Sequence, residues 1–269
     1  MLDPQQIKIV FFDIDETLYI KNQKTLPASV HTALEGLKRN NIIPAIATGR
    51  SGCALPDEIY DLIEKFSIEL FVTINGQYNR YQQQEITTFP ITMSEIERLI
   101  AFFQQHQIDY AFVSEQAIAV NRVTDKIDQA LRPITERYIV DPDYYLQHRV
   151  YQMLVFYDES QDQLIAESGI LQSDLRVVRW HEFSVDLFAA EGSKARGIQN
   201  VLEHFNLKPE NAVAFGDGLN DLEMLKAVGF GVAMGNAHPQ LKAVADYVTD
   251  DIDDDGLYKG LQALGLIKS

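Results

Sequence analysis

The run IKIVFF at residues 7–12, closed by DID at 13–15, constrains this chain more than any other stretch. Its hydrophobicity is continuous, not alternating, and rich in branched and aromatic side chains, which marks a strand covered on both faces, as in the middle of a parallel sheet. Such a strand then ends in carboxylates. In extended backbone Asp13 and Asp15 point to one side and Ile14 to the other. Open parallel sheets bind ligands at the carboxyl ends of their strands, so the pair is either a set of turn and helix-capping acids or one edge of a site.

The rest of the chain supplies neighbours for that strand. PASVHTALEGLKRNN (27–41) offers Pro27 as a first helical residue, Val30, Ala33, Leu34 and Leu37 at helical spacing, and Asn40 or Asn41 as a stop. IIPAIATG (42–49) reads as a second strand, DEIYDLIEKF (57–66) as a helix and ELFVTING (69–76) as a third strand. The same rhythm returns in KARGIQNVLEHFN (194–206), NAVAFGDG (211–218), DLEMLKAVG (221–229) and GFGVAMG (229–235). Between 84 and 184 the texture changes to strands in pairs, DYAFVS, QAIAV, VYQMLVFY, LRVVRW and SVDLF, with helical patterns near 94–106, 124–137 and 159–168. The expected fold is therefore α/β: a doubly wound, Rossmann-like parallel sheet core over 1–82 and 185–269, interrupted by an inserted α+β cap domain over 83–184.

Charge narrows the partners. A formal net charge of -16 disfavours nucleic acid and anionic membrane surfaces, which attract basic patches. Cys53 is the single cysteine and has no internal partner. The chain opens MLDPQQ without a basic leader, and no stretch approaches the ~18 apolar residues of a membrane span, so the expected setting is cytoplasmic and the expected partner a small molecule. The acidic tract TDDIDDDG (249–256) mimics the opening of a calcium loop with Asp251, Asp253, Asp255 and Gly256, but its twelfth position is Gln262, not glutamate. It reads as a solvated turn opening the last helix.

A second acidic strand end is more informative. GDGLND (216–221) follows the buried strand AVAF and carries Asp217 where the first strand carries Asp13, with Asn220 and Asp221 just beyond. Asn220 or Asp221 can cap the next helix; capping leaves Asp217 unexplained. Were these strand ends adjacent, each carboxylate pair ~4 Å apart would repel by roughly 4 kcal/mol at an effective dielectric of about 20. A cation would be required, and oxygen-only ligands favour Mg²⁺. ATGR (47–50) ends another strand, with the Thr48 hydroxyl and the amides of Gly49 and Arg50 available to phosphate oxygens. Lys194, opening a helix after EGS, is either a surface lysine or a cation for the same anion.

In this order, Asp-x-Asp-x-Thr, Thr-Gly-Arg, Lys and Gly-Asp-x-x-Asn-Asp, the chain resembles the haloacid dehalogenase superfamily of phosphatases. Asn75-Gly76 fits as well, and the insertion looks like the large α/β cap of the Cof-like branch. The resemblance implies a phosphoric monoester hydrolase acting on a small phosphorylated metabolite, such as a sugar phosphate or phosphorylated cofactor. It implies Asp13 as nucleophile forming an aspartyl-phosphate, Asp15 as general acid and then base, and Thr48 and Lys194 as holders of the phosphoryl oxygens beside Gly49 and Arg50. Mg²⁺ would be bound by the Asp13 carboxylate, the Asp15 carbonyl and the Asp217 carboxylate, supported by Asn220 and Asp221. A phosphomutase of the same chemistry and a receiver-like phosphoacceptor module remain alternatives. Two departures stand out: Glu16 replaces the usual glycine after the second aspartate, and Ala195 and Arg196 separate Lys194 from Gly197. In the cap, Tyr144, Tyr145, His148 and Arg149 form either a specificity cluster or a core tyrosine pair beside a basic patch.

Overall fold

A computed structural model describes residues 2–172 and 174–268. The chain forms two compact units, the first comprising the chain up to Gly49, Pro56–Thr87 and the part from Ser193 on, the second Arg50–Leu55 and Thr88–Gly192.

In the first unit the chain begins β1 (Ile9–Phe12), α1 (Ser29–Arg39), β2 (Ile43–Ala47), α2 (Asp57–Phe66), β3 (Leu70–Thr73), β4 (Tyr78–Tyr81) and β5 (Gln84–Thr88). β1 runs parallel to β2, and β2 to β3, while β4 returns antiparallel to β3. The apolar stripe of α1 is buried as its spacing predicts, through Val30, Ala33, Leu34 and Leu37. β4 and β5 extend the first sheet to Thr88, six residues beyond the boundary read from the sequence at 82/83.

The second unit contains α3 (Met93–Gln105), β6 (Asp109–Val113), β7 (Ile118–Val120), α4 (Asp125–Leu131), β8 (Ile139–Val140), β9 (Gln152–Phe156), α5 (Asp162–Glu167), β10 (Leu175–His181) and β11 (Ser184–Ala189). Its sheet has the order β10-β11-β9-β6-β7-β8, antiparallel except where β7 and β8 run parallel. Because β11 pairs with both β9 and β10, it lies in this unit, not beyond the 184/185 boundary. α4 stops well short of residue 137, where Pro133 follows and has no N–H to donate to the Gln129 carbonyl. Tyr144 is a core residue, its hydroxyl 2.8 Å from Ser114 Oγ and its ring stacked on His148.

The chain then completes the first unit with α6 (Lys194–His204), β12 (Ala212–Gly216), α7 (Leu222–Ala227), β13 (Phe230–Ala233), α8 (Pro239–Lys242), β14 (Tyr247–Val248) and α9 (Gly256–Ala263). The eight-stranded sheet has the order β14-β13-β12-β1-β2-β3-β4-β5, so the order reverses at β1 and both β1 and β12 end at the same edge. The acidic tract forms a short turn leading into α9, with Asp250 paired to Lys259 at 2.6 Å. Among the described residues no helix is long and apolar enough to cross a membrane.

Candidate active site

Strand register brings the first acids together. Phe12 of β1 lies beside Phe215 of β12, and the Asp13 amide continues the ladder to the Phe215 carbonyl at 3.0 Å. Asp13 and Asp217 thus leave adjacent parallel strands within one residue of each other. The carboxylates of Asp13, Asp217 and Asp221 offer oxygens within 4.8 Å of one another. Thr17, wholly buried, donates its hydroxyl to Asp217 Oδ1 at 3.2 Å and fixes that side chain.

Lys194 is no surface lysine. It is 1% exposed, and its Nζ lies 2.6 Å from both Asp13 Oδ1 and Asp221 Oδ1. Burial alone would lower its pKa; the attraction of Asp13 and Asp221 overrides this and holds it above the ordinary lysine value. A backbone crossing places it there. A Cβ on Gly76 would come 2.1 Å from the Ser193 carbonyl, and one on Gly197 would come 3.0 Å from Gly76 Cα. These two glycines let the turn after β3 press against the first turn of α6, whose N-cap Ser193 accepts the Arg196 amide. The spacing Lys194 to Gly197, a departure at the sequence level, is what sets this crossing one helical turn below the lysine.

Asp221 does not cap α7 with its side chain. Its Oδ1 accepts from Lys194, while its Oδ2 accepts the amides of Asp217 and Gly218, each at 3.0 Å. It is therefore a buried brace joining the lysine to the Asp217 loop. Asn220 is exposed beside Gly218, and the Asp15 carboxylate stands outside the three-acid group, 3.6 Å from Lys21 Nζ. Thr48 follows β2 and is 1% exposed, with its amide on the Val72 carbonyl and its own carbonyl accepting the Asn75 amide. Arg50 opens the segment assigned to the second unit, where its guanidinium donates to the Ala54 and Ile134 carbonyls.

Glu16 shows why glycine is expected at its position. Its φ is 58°, the left-handed region that glycine enters freely. The glutamate accepts this conformation while its Oε1 takes the Lys21 amide at 3.0 Å and its carbonyl takes Asn236 Nδ2.

Electrostatically the cluster is incomplete. Three carboxylates and one ammonium leave a formal -2. Burial, then the neighbouring acids, push Asp13 up to about 7 in spite of Lys194, and push Asp217 up to about 8. Carboxylates held this far from their ordinary range in water call for a proton or a cation, and the donor set, all oxygen and crowded, fits a hard divalent ion. The sequence signalled Thr17 only as the Thr of Asp-x-Asp-x-Thr, Gly76 only through Asn75-Gly76 and Asp221 only as a support; the hydroxyl bond to Asp217, the close crossing at Gly76 and the two-sided bracing by Asp221 come from the structure.

The family profile of the haloacid dehalogenase-like hydrolases matches residues 10–261. A putative bifunctional phosphatase and peptidyl-prolyl isomerase of Streptococcus pyogenes is 36% identical over 98% of the chain, which spans 55% of that protein's length. A putative phosphatase of Bacillus subtilis is 35% identical, covering 97% of the chain and 99% of the relative. Among solved structures, a sugar phosphatase of subclass IIB of the same superfamily superposes with a TM-score of 0.82 at 31% identity, covering 97% of this chain and all of the other.

Proposed function

Because the chain belongs to the haloacid dehalogenase-like hydrolases, we propose that it is a Mg²⁺-dependent phosphatase hydrolysing small phosphorylated metabolites through an aspartyl-phosphate. The observation that carries this reading is the buried contact of Asp13 with Lys194 at the common edge of β1 and β12, beside two further carboxylates. Sugar phosphates are the favoured substrates, supported by the similar subclass IIB sugar phosphatase.

In this mechanism Asp13 attacks phosphorus through Oδ2, its Oδ1 being held by Lys194. The Asp13 O–P bond forms as the ester P–O bond breaks, and the departing oxygen takes a proton from Asp15. Asp15 then accepts a proton from the water that hydrolyses the acyl phosphate, releasing inorganic phosphate and restoring Asp13. Its partial exposure, 20% of the side chain, suits a group that exchanges protons with solvent. Thr48 and Lys194 neutralise and orient the phosphoryl oxygens. Asp13, Asp217 and the Asp15 carbonyl would hold the metal, which supplies charge neutralisation that lets an anion meet an anionic ester.

The test is phosphate release from a panel of phosphorylated metabolites with Mg²⁺ and with chelator. Asp13→Asn is expected to lower turnover by a factor on the order of 10³ or more with the fold retained. Substantial turnover in that variant would falsify the nucleophile assignment. An isomerised sugar phosphate in place of free phosphate would identify a mutase.

A further inference from the structure

The turn between β3 and β4 holds three consecutive residues at positive φ: Ile74 at 51°, Asn75 at 51° and Gly76 at 78°. Only the third is a glycine. A β-branched isoleucine in the left-handed region is strained, and such strain persists where the surroundings over-determine it, commonly at functional sites. Here the surroundings are the two segments already described: the Asn75 amide donates to the Thr48 carbonyl at 3.1 Å, and Gly76 presses on the Ser193 carbonyl.

What the contorted turn achieves is the placement of one side chain. The Asn75 carboxamide lies over Gly49, so that a Cβ there would come 3.1 Å from Asn75 Oδ1 and 3.4 Å from Nδ2. Asn75 is 7% exposed, yet its carboxamide has no hydrogen-bond partner among the described residues. Asn79, four residues on, is the contrast: its NH₂ is spent on the Gly76 carbonyl and on Thr87. None of the fully buried unpaired polar atoms among the described residues belongs to Asn75, so its unpartnered amide keeps an opening to solvent beside Gly49, where a ligand can reach it. No protein group fixes which end of the carboxamide faces outward, so an anion would select the NH₂.

We infer that Asn75 is a further phosphoryl-binding residue, its side-chain NH₂ donating to a non-bridging oxygen of the group held by the Thr48–Gly49 loop. The assignment rests on the phosphate-ester reading above. It makes the turn a shared support: its backbone braces Thr48 on one side and the Lys194 helix on the other, and its side chain completes the donor set between them.

Asn75→Gly is the informative variant, because glycine keeps the left-handed turn while removing the amide. Wild type and variant are compared on a sugar phosphate and on p-nitrophenyl phosphate, together with inhibition by orthovanadate and thermal stability. We expect kcat/KM to fall about 10- to 100-fold by the same factor on both esters, orthovanadate to bind correspondingly less tightly, and stability to be unchanged or improved. Asn75→Asp, of the same shape but charged, should lose more than Asn75→Gly. Activity within twofold of wild type, a loss confined to one leaving group, or unchanged orthovanadate inhibition would overturn the assignment while leaving the phosphatase reading intact. Absence of phosphate release by the wild type from every ester would instead sink that reading, and Asn75 with it.

Discussion

Replacing Asp221 by asparagine exchanges one buried oxygen for an NH₂ group at a position with 0% exposure. The charge terms in the metal-free protein nearly cancel. At an effective dielectric of about 20, losing the 2.6 Å contact with Lys194 forfeits about 6 kcal/mol. Removing two repulsions, from Asp13 and Asp217 at no more than 4.8 Å, returns about 3 to 4 kcal/mol each. Hydrogen bonding then decides. Three donors converge on the two oxygens: the Lys194 ammonium on Oδ1 and the Asp217 and Gly218 amides on Oδ2. Turned one way, the asparagine sets its NH₂ against the ammonium; turned the other, it orphans two backbone N–H groups. At about 1–3 kcal/mol per buried unsatisfied donor, the expected loss is about 3 kcal/mol, or about 6–12 °C in Tm. Urea unfolding and thermal melts of the metal-free wild type and Asp221→Asn at pH 7 measure it. A variant as stable as wild type would mean that charge relief outweighs the bracing bonds, and the argument for Asp221 as a brace would fail.

Two other outcomes follow from the same geometry. Asp13 and Asp217 have folded-state pKa values raised to about 7 and about 8, so the folded protein binds their protons more tightly than the unfolded chain does. Their contribution to stability is therefore present at acid pH and is lost as pH rises through about 7 to 8; Mg²⁺ should raise Tm more at pH 8.5 than at pH 5.5, and an equal rise at both would contradict the linkage. Gly76→Ala places a Cβ 2.1 Å from the Ser193 carbonyl at a φ of 78°, so a destabilisation of about 2–4 kcal/mol with loss of turnover is expected, measured by unfolding and phosphate release.

The parallel core was legible because its strands are continuous apolar runs, IVFF and AVAF among them, and because helices of clear 3.6 period separate them. β4 and β5 were not, since NRY and QEITT at 79–88 carry too little apolar signal to announce edge strands. Glu16 stood out in the sequence as a departure from the usual glycine, and the structure shows the reason the position favours glycine: a backbone at φ 58° that the glutamate adopts.

Lys194 marks the limit of sequence reading most sharply. Taken alone it is indistinguishable from a surface lysine, because its burial depends on Gly76, more than a hundred residues earlier, letting α6 approach the turn after β3. Once that approach is made, an ammonium enters a site already holding three carboxylates, and two of them take it at 2.6 Å. The oxygen-only ligand set in the sequence points to Mg²⁺, but counting acids along the chain does not fix how much charge the ion must supply. The three-dimensional count does: three carboxylates less one buried ammonium leave two negative charges, and since Asp221 has committed both oxygens inward, the deficit falls on Asp13 and Asp217. A monovalent ion would leave that pair half-compensated in a site too buried for water to finish the task, so the lysine itself makes the case for a divalent one.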